Sequence, residues 1–270
     1  MHARDTATVA ALLRAAGCVF AEDEARLLLA AAGSDGELDD LVARRAAGEP
    51  LEYLLGWVEF GGIRIGLRPG VFVPRQRTVF LVDEAAALVR ARSARPTVVD
   101  LCCGSGALGL ALVHALVRPV ELIASDIDPV AVACARDNLT PIGARVHRGD
   151  LFDALPDELR GRVDILVANT PYVPTHRIAQ LPPEARDHEP VTALDGGPDG
   201  LNVFRRVAAG AGTWLSPGGH LLIEIGVDQA AAAAAILTEH GLVPRIAHSP
   251  ERDATVAIGR FDGRGATSAR

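Results

Sequence analysis

From Thr97 onward the chain alternates short β-rich apolar runs with helical stretches, and this alternation constrains the fold more than any other feature of the sequence. Strands are expected at Thr97–Leu101, Glu121–Ser125, Arg145–His147, Asp164–Ala168, His220–Ile225, Val243–His248 and Ala254–Arg260. Helices are expected between them, for example Gly106–Leu116 and Pro129–Asn138, with another before the first strand over Thr78–Ala91. Such a pattern predicts an α/β fold with a doubly wound, seven-stranded Rossmann-like sheet that receives ligands at the carboxyl ends of its strands. The alanine run Ala230–Ala235 fits one of the intervening helices, since alanine is the best helix former.

The first 56 residues follow a different rhythm. Val9, Leu12, Leu13 and Ala16, and again Ala25, Leu28, Leu29 and Ala32, recur at three and four, which marks amphipathic helices whose ends fall near Gly17 and Gly33. A third helix is expected over Glu37–Ala47, stopped by Gly48 and Pro50, and a short one over Leu51–Leu55. Residues 57–75 then alternate with period two (Val58, Phe60, Ile63, Ile65, Leu67), pass Pro69-Gly70, and continue through Val71 to Val73, a β-hairpin pattern. The expected organisation is a helical unit over 1–56, a hairpin linker over 57–75, the α/β domain over 76–262, and a disordered Gly/Arg/Ser-rich tail over 263–270.

Composition narrows the function classes. All 27 basic residues are arginine, set against 34 acidic ones for a net charge of −7, which disfavours binding that depends on neutralising many phosphates. No apolar run reaches the length of a membrane-spanning helix and the N-terminus lacks a secretory pattern, so a cytoplasmic location is expected. Four cysteines, two of them adjacent, form neither a disulfide framework nor a zinc spacing; Cys18 and Cys134 read as core residues on helical faces. The histidines show no HxxxH or HExxH spacing, and no metal site is expected.

The first expected strand runs into Cys102-Cys103-Gly104-Ser105-Gly106 and then a helix. Glycines there let a ligand approach the backbone closely, and the helix start offers free N–H groups. The loop has no GxxxxGK, so a nucleoside triphosphate is disfavoured. Asp100, Asp126 and Asp150 each fall near the end of a successive strand. A single strand-end aspartate reads as a turn former or helix cap, but three on one rim point to an adenosine-containing ligand. The fourth strand ends in Asn169-Thr170-Pro171-Tyr172, where an amide oxygen, a freed carbonyl and a flat aromatic wall together suit a planar NH2 group.

These stretches together resemble the HemK/PrmC family of S-adenosylmethionine-dependent protein-(glutamine-N5) methyltransferases. The likeness runs from Arg45 to Phe261 and is carried by RRAAGEPLEYLLGWVEF, VFVPRQRT, VVDLCCGSGALGLAL, ASDIDPVAVACARDN, GDLF, VDILVANTPYVP, HEPVTALDGGPDGL and LSPGGHLLIEIGVDQ. The resemblance implies a class I methyltransferase sheet with S-adenosyl-L-methionine as cofactor. It implies Cys102 to Gly106 around the methionine moiety, Asp126 on the ribose, and Asp150 with Leu151 around adenine. It further implies Asn169 to Tyr172 as the family's NPPY motif on the acceptor glutamine, and Glu189-Pro190 in a loop shaping the peptide cleft. Thr170 stands for the first proline of NPPY, Cys102-Cys103 for Gly-Thr, Gln76 for a proline and Val79 for a glutamate, which marks a divergent member. The implied partner is a protein, with the GGQ loop of a peptide chain release factor as first candidate.

Two other readings compete. An exocyclic-amine methyltransferase acting on adenine could use the same Asn-x-Pro-aromatic turn, but it needs a basic channel and must extract its base. An inactive S-adenosylmethionine-binding protein would keep the glycine loop and lose turnover through the Thr170 and Val79 departures.

Overall fold

A computed structural model describes residues 5–90, 95–116 and 118–263. The tail expected over 263–270 lies outside them apart from Gly263, as does the last residue of the helix expected over Thr78–Ala91.

Four helices open the chain: α1 (Thr6–Ala15), α2 (Ala21–Ala31), α3 (Asp35–Ala46) and α4 (Leu51–Leu55). The Asp5 side chain caps α1 by accepting from the Thr8 amide at 2.8 Å, and Ser34 caps α3 through the Glu37 amide. Their apolar stripes meet in a core of their own around Val9, Leu13, Leu28 and Leu38, all fully buried. Gly17, at φ +95°, turns the chain out of α1, so Cys18 sits in the following loop, half-buried, rather than on a helix face.

The hairpin is shorter than its alternation suggests. Strands β1 (Trp57–Phe60) and β2 (Ile63–Gly66) pair around Gly61-Gly62, both at positive φ; the Leu67 amide still donates to the Gly56 carbonyl at 2.9 Å, and residues 68–75 form no strand. Val71 and Val73 mimic a strand because both are buried, but they enter the main core as part of a coil. The hairpin is pinned to the sheet domain by Asn138: its carbonyl accepts from the Gly66 amide at 2.9 Å, and its NH2 donates to the carbonyls of Gly66 and Ser105, each at 2.8 Å.

The α/β domain follows with α5 (Val79–Arg90), β3 (Thr97–Leu101), α6 (Ala107–Leu116), β4 (Glu121–Asp126), α7 (Pro129–Leu139), β5 (Arg145–Arg148) and β6 (Val163–Ala168). It continues with α8 (Pro183–His188), α9 (Asn202–Trp214), β7 (Leu215–Ile225), α10 (Ala230–Glu239), β8 (Leu242–Ser249) and β9 (Ala254–Phe261). The seven strands stand in the order β5-β4-β3-β6-β7-β9-β8, parallel except for β9, which inserts antiparallel between β7 and β8. Successive residues of the central strands feed opposite cores: Val98, Ala124 and Val167 enter one, Val99, Ile123 and Leu166 the other. Both faces are therefore covered, as the seven expected runs require. Among the described residues no helix is long and apolar enough to cross a membrane.

Candidate active site

Strand β3 has β4 on one side and β6 on the other, so the chain changes direction there and a crevice opens beyond the carboxyl ends. The loop leaving β3 bends sharply, with positive φ at Cys102 (+54°), Gly104 (+55°) and Gly106 (+79°). Gly106 is required twice over, because a Cβ there would also come within 2.8 Å of Leu139. The Cys103 amide donates to the Ser125 carbonyl at 3.1 Å, lashing the loop to β4.

The three strand-end aspartates do three different things. Asp100 is 1% exposed and lies beneath the loop, accepting from the Gly109 amide at 2.9 Å; burial pushes its carboxyl up to about 7. Asp126 stands in the crevice wall, accepting from the Gly104 amide at 2.9 Å and the Asp128 amide at 3.0 Å. Burial raises its pKa despite those bonds. Asp150 accepts from Arg206 at 2.8 Å at the surface, and neither it nor the buried Leu151 lines the crevice. The structure thus brings Cys102 to Ser105, Asp126 and Asn169 together around one cleft and places Asp100 and Gly106 behind the loop that forms it. Burial raises the pKa of both Cys102 and Cys103, with the acids around them adding to it, which keeps both as thiols.

A second cleft meets the first at Phe72, Asn169 and Ala193, and Thr170, Tyr172, Arg75 and Arg77 line it. The turn between the clefts begins after Ala168, the last paired residue of β6. It is held from outside. Gln229 donates to the Tyr172 carbonyl at 3.0 Å and to the Asp199 carbonyl at 2.9 Å, while its own oxygen accepts from the Gly226 amide at 2.8 Å. Gly196 and Gly200 lie so close that a Cβ would fall 2.6 Å from the Pro171 carbonyl oxygen and 2.2 Å from that of Tyr172. The glycines of the DGGPDG run therefore press against the Asn169–Tyr172 turn. Three buried polar atoms on cleft-lining residues, Asn169 Oδ1, Ser105 Oγ and Thr78 Oγ1, have no hydrogen-bond partner among the described residues. Buried polar groups are almost always satisfied, so these are places where a polar ligand would complete the bonding.

Residue-by-residue reading missed several wall residues. Phe72, Thr78 and Ala193 reach the clefts from VFVPRQRT and HEPVTAL, stretches that marked the family but in which these three residues were given no role. The two specific segments VFVPRQRT and HEPVTAL prove to be partners: Arg75 Nη2 donates to both oxygens of Glu189 at 2.7 Å, and the Val73 amide donates to the same carboxylate at 3.3 Å. Burial raises the pKa of Glu189 in spite of Arg75. The helical unit reaches this region too, since buried Arg45 bridges Glu24 at 2.6 Å and Glu184 of α8 at 2.7 Å.

Residues 63–181 match the Methyltransferase small domain family. The chain is 41% identical over 203 residues to the release factor glutamine methyltransferase of Geobacter sulfurreducens, covering 74% of this chain and 69% of that one. It is 36% identical over 258 residues to the release factor glutamine methyltransferase of Bradyrhizobium diazoefficiens, covering 87% and 86%. The chain belongs to the release factor glutamine methyltransferase family. The family resemblance carried by the sequence motifs therefore holds along most of the chain. Among solved structures, a methyltransferase from Pyrococcus furiosus aligns with TM-score 0.54 at 14% identity over 84% of this chain and all of that one. A T. thermophilus 16S rRNA methyltransferase aligns at 0.52 and 20% identity over 76% of this chain and 49% of that one. Likeness at this level of identity bears on the fold alone, and it agrees with the Rossmann-like sheet.

Proposed function

We propose that the protein transfers a methyl group from S-adenosyl-L-methionine to the side-chain amide nitrogen of a glutamine in a protein, with the GGQ loop of a peptide chain release factor as acceptor. The observation that carries this reading is Asn169, which stands where two clefts meet and whose buried oxygen lacks a donor among the described residues. The first cleft fits the cofactor by its lining: a glycine-rich turn at the end of β3 and an aspartate at the end of β4 face it, and Cys102 to Gly106, Asp126, Asn169 and the more distant Asp100, Asp150 and Leu151 would hold it or shape the loops that do. When bound, the sulfonium donor supplies an electrophilic methyl carbon and departs as a neutral thioether.

An amide nitrogen is a poor nucleophile because its lone pair is delocalised into the carbonyl. Asn169 Oδ1 and the Thr170 carbonyl would each accept one N–H of the acceptor, fixing its plane and aiming the nitrogen at the first cleft. Pro171 stiffens the turn, and Tyr172 provides a flat wall in the second cleft. No general base is needed before attack, because the methylated nitrogen is acidic and sheds its proton to water afterwards. The helical unit of 1–56 and the linker of 57–75 are assigned to holding the protein substrate over the domain of 76–262. The Arg45–Glu184 bridge, which ties that unit to the wall of the second cleft, supports the assignment. Asn169→Ala should abolish methyl transfer to purified release factor, with the loss in kcat larger than any loss of cofactor affinity read by calorimetry. Transfer at the wild-type rate would refute the role of Asn169.

A further inference from the structure

Tyr172 carries a hydrogen-bond network that the reaction scheme does not use. Its hydroxyl donates to Glu224 Oε1 at 2.9 Å and accepts from Arg77 Nη2 at 2.6 Å, and Arg77 Nε lies 3.3 Å from the same carboxylate oxygen. Glu224 stands near the end of β7, its side chain 3% exposed, and its other oxygen has no hydrogen-bond partner among the described residues. Arg77 comes from the short turn before α5 and is 43% exposed, so a buried anion faces a half-exposed cation with the phenol between them.

Burying a carboxylate in an apolar sheet costs several kcal/mol, and the pairing is an expensive way to hold a ring that packing alone could hold. What the triangle adds is direction. A phenol that donates to one group and accepts from the other has a single satisfied orientation, and its ring is part of the second cleft.

We propose that Arg77 and Glu224 are positioning residues that fix the Tyr172 ring, and through it the acceptor amide, without touching the cofactor; this rests on the glutamine-methylation reading above. Gln229 holds the same residue by its carbonyl, so Tyr172 is gripped at both ends. In a turn where Thr170 supplies no ring to fix its φ, the restraint comes from neighbouring elements.

The test uses the full-length protein labelled with 3-fluorotyrosine. There are only two tyrosines, and Tyr53, whose hydroxyl donates to the Val71 carbonyl at 2.8 Å, serves as internal reference. Burial raises the phenol's pKa, Glu224 adds to that rise and Arg77 opposes it. Glu224→Gln should therefore make Tyr172 titrate at lower pH than in wild type and Arg77→Met at higher pH, with Tyr53 unmoved in both. General loosening would shift both variants toward an ordinary phenol, and that result, or no shift, overturns the proposal. In turnover, Glu224→Ala should lower kcat by about tenfold or more with cofactor Kd within about twofold, and Glu224→Gln should restore most of it by keeping an acceptor for the phenol. Unchanged kcat in Glu224→Ala also overturns it. If the wild type methylates no release factor, the glutamine reading fails by itself, and the fluorine titrations, which need no substrate, still decide whether the triangle fixes the ring.

Discussion

Replacing Asp100 by asparagine should change the pH dependence of stability, not merely its level. The carboxyl is buried with one oxygen bonded to the Gly109 amide and the other unpartnered, and its pKa rises from the ordinary 3.8 to about 7. A carboxyl whose folded value lies above its unfolded value favours the neutral form in the fold. Its stabilising contribution is complete below about pH 4 and is lost as pH climbs through 7. Each tenfold in acidity is worth about 1.4 kcal/mol, so the whole loss is on the order of 4 kcal/mol, of which roughly 2 to 3 fall between pH 5 and pH 8. Asparagine keeps the acceptor for Gly109 and removes the charge, but puts an NH2 where no acceptor waits, at a cost of about 1–3 kcal/mol. The variant should therefore lie close to or below wild type at pH 5 and gain on it by roughly 2 to 3 kcal/mol by pH 8. Urea unfolding of the cofactor-free proteins at pH 5, 6, 7 and 8 reads this directly. A difference between variant and wild type that stays constant across that range would refute a buried, high-pKa Asp100.

Three further outcomes follow from the same geometry. Asp126→Ala should weaken S-adenosylmethionine binding by about 1.5–3 kcal/mol in calorimetry, the range for a hydrogen bond to a charged group, and equal affinity would remove Asp126 from the ribose. Cys102→Gly should relieve a left-handed backbone costing roughly 1–2 kcal/mol while adding about 0.5–1 kcal/mol of chain entropy, leaving chemical stability equal or slightly higher; a clear loss would contradict the strain. Glu189→Ala should cost about 1–3 kcal/mol in denaturant unfolding, less than a fully buried pair because Arg75 is 34% exposed and partly screened, and no loss would show that the clamp between the two segments is idle.

The sheet was legible because its central strands are apolar runs, and the expected bounds of β3, β4 and β6 differ from the observed ones by at most one residue. The helices expected between all successive strands are absent between β5 and β6 and between β8 and β9, where short 3-10 turns connect them, and β5 (RVHR) is largely polar. The order of the last two strands was not legible, since nothing in local periodicity says that β9 turns back between β7 and β8. The hairpin was over-extended because buried coil residues such as Val71 and Val73 imitate a strand's alternation. Of the rim acids, only Asp126 faces the cleft: spacing along the chain placed all three near strand ends but could not tell a tether under the loop (Asp100) or a surface ion pair (Asp150) from a ligand contact. The Arg75–Glu189 and Arg77–Glu224 pairs, 114 and 147 residues apart, carry no local signature at all.

The central claim is that the acceptor atom is a glutamine amide nitrogen. It is tested most directly by incubating the protein and S-adenosylmethionine with purified release factor, then locating any added mass by tandem mass spectrometry, with adenine-containing DNA and RNA treated in parallel. The expected result is a gain of about 14 Da, one methyl in place of one hydrogen, on the side chain of the GGQ glutamine, absent with Asn169→Ala. A methyl found on adenine and on no protein residue would contradict it.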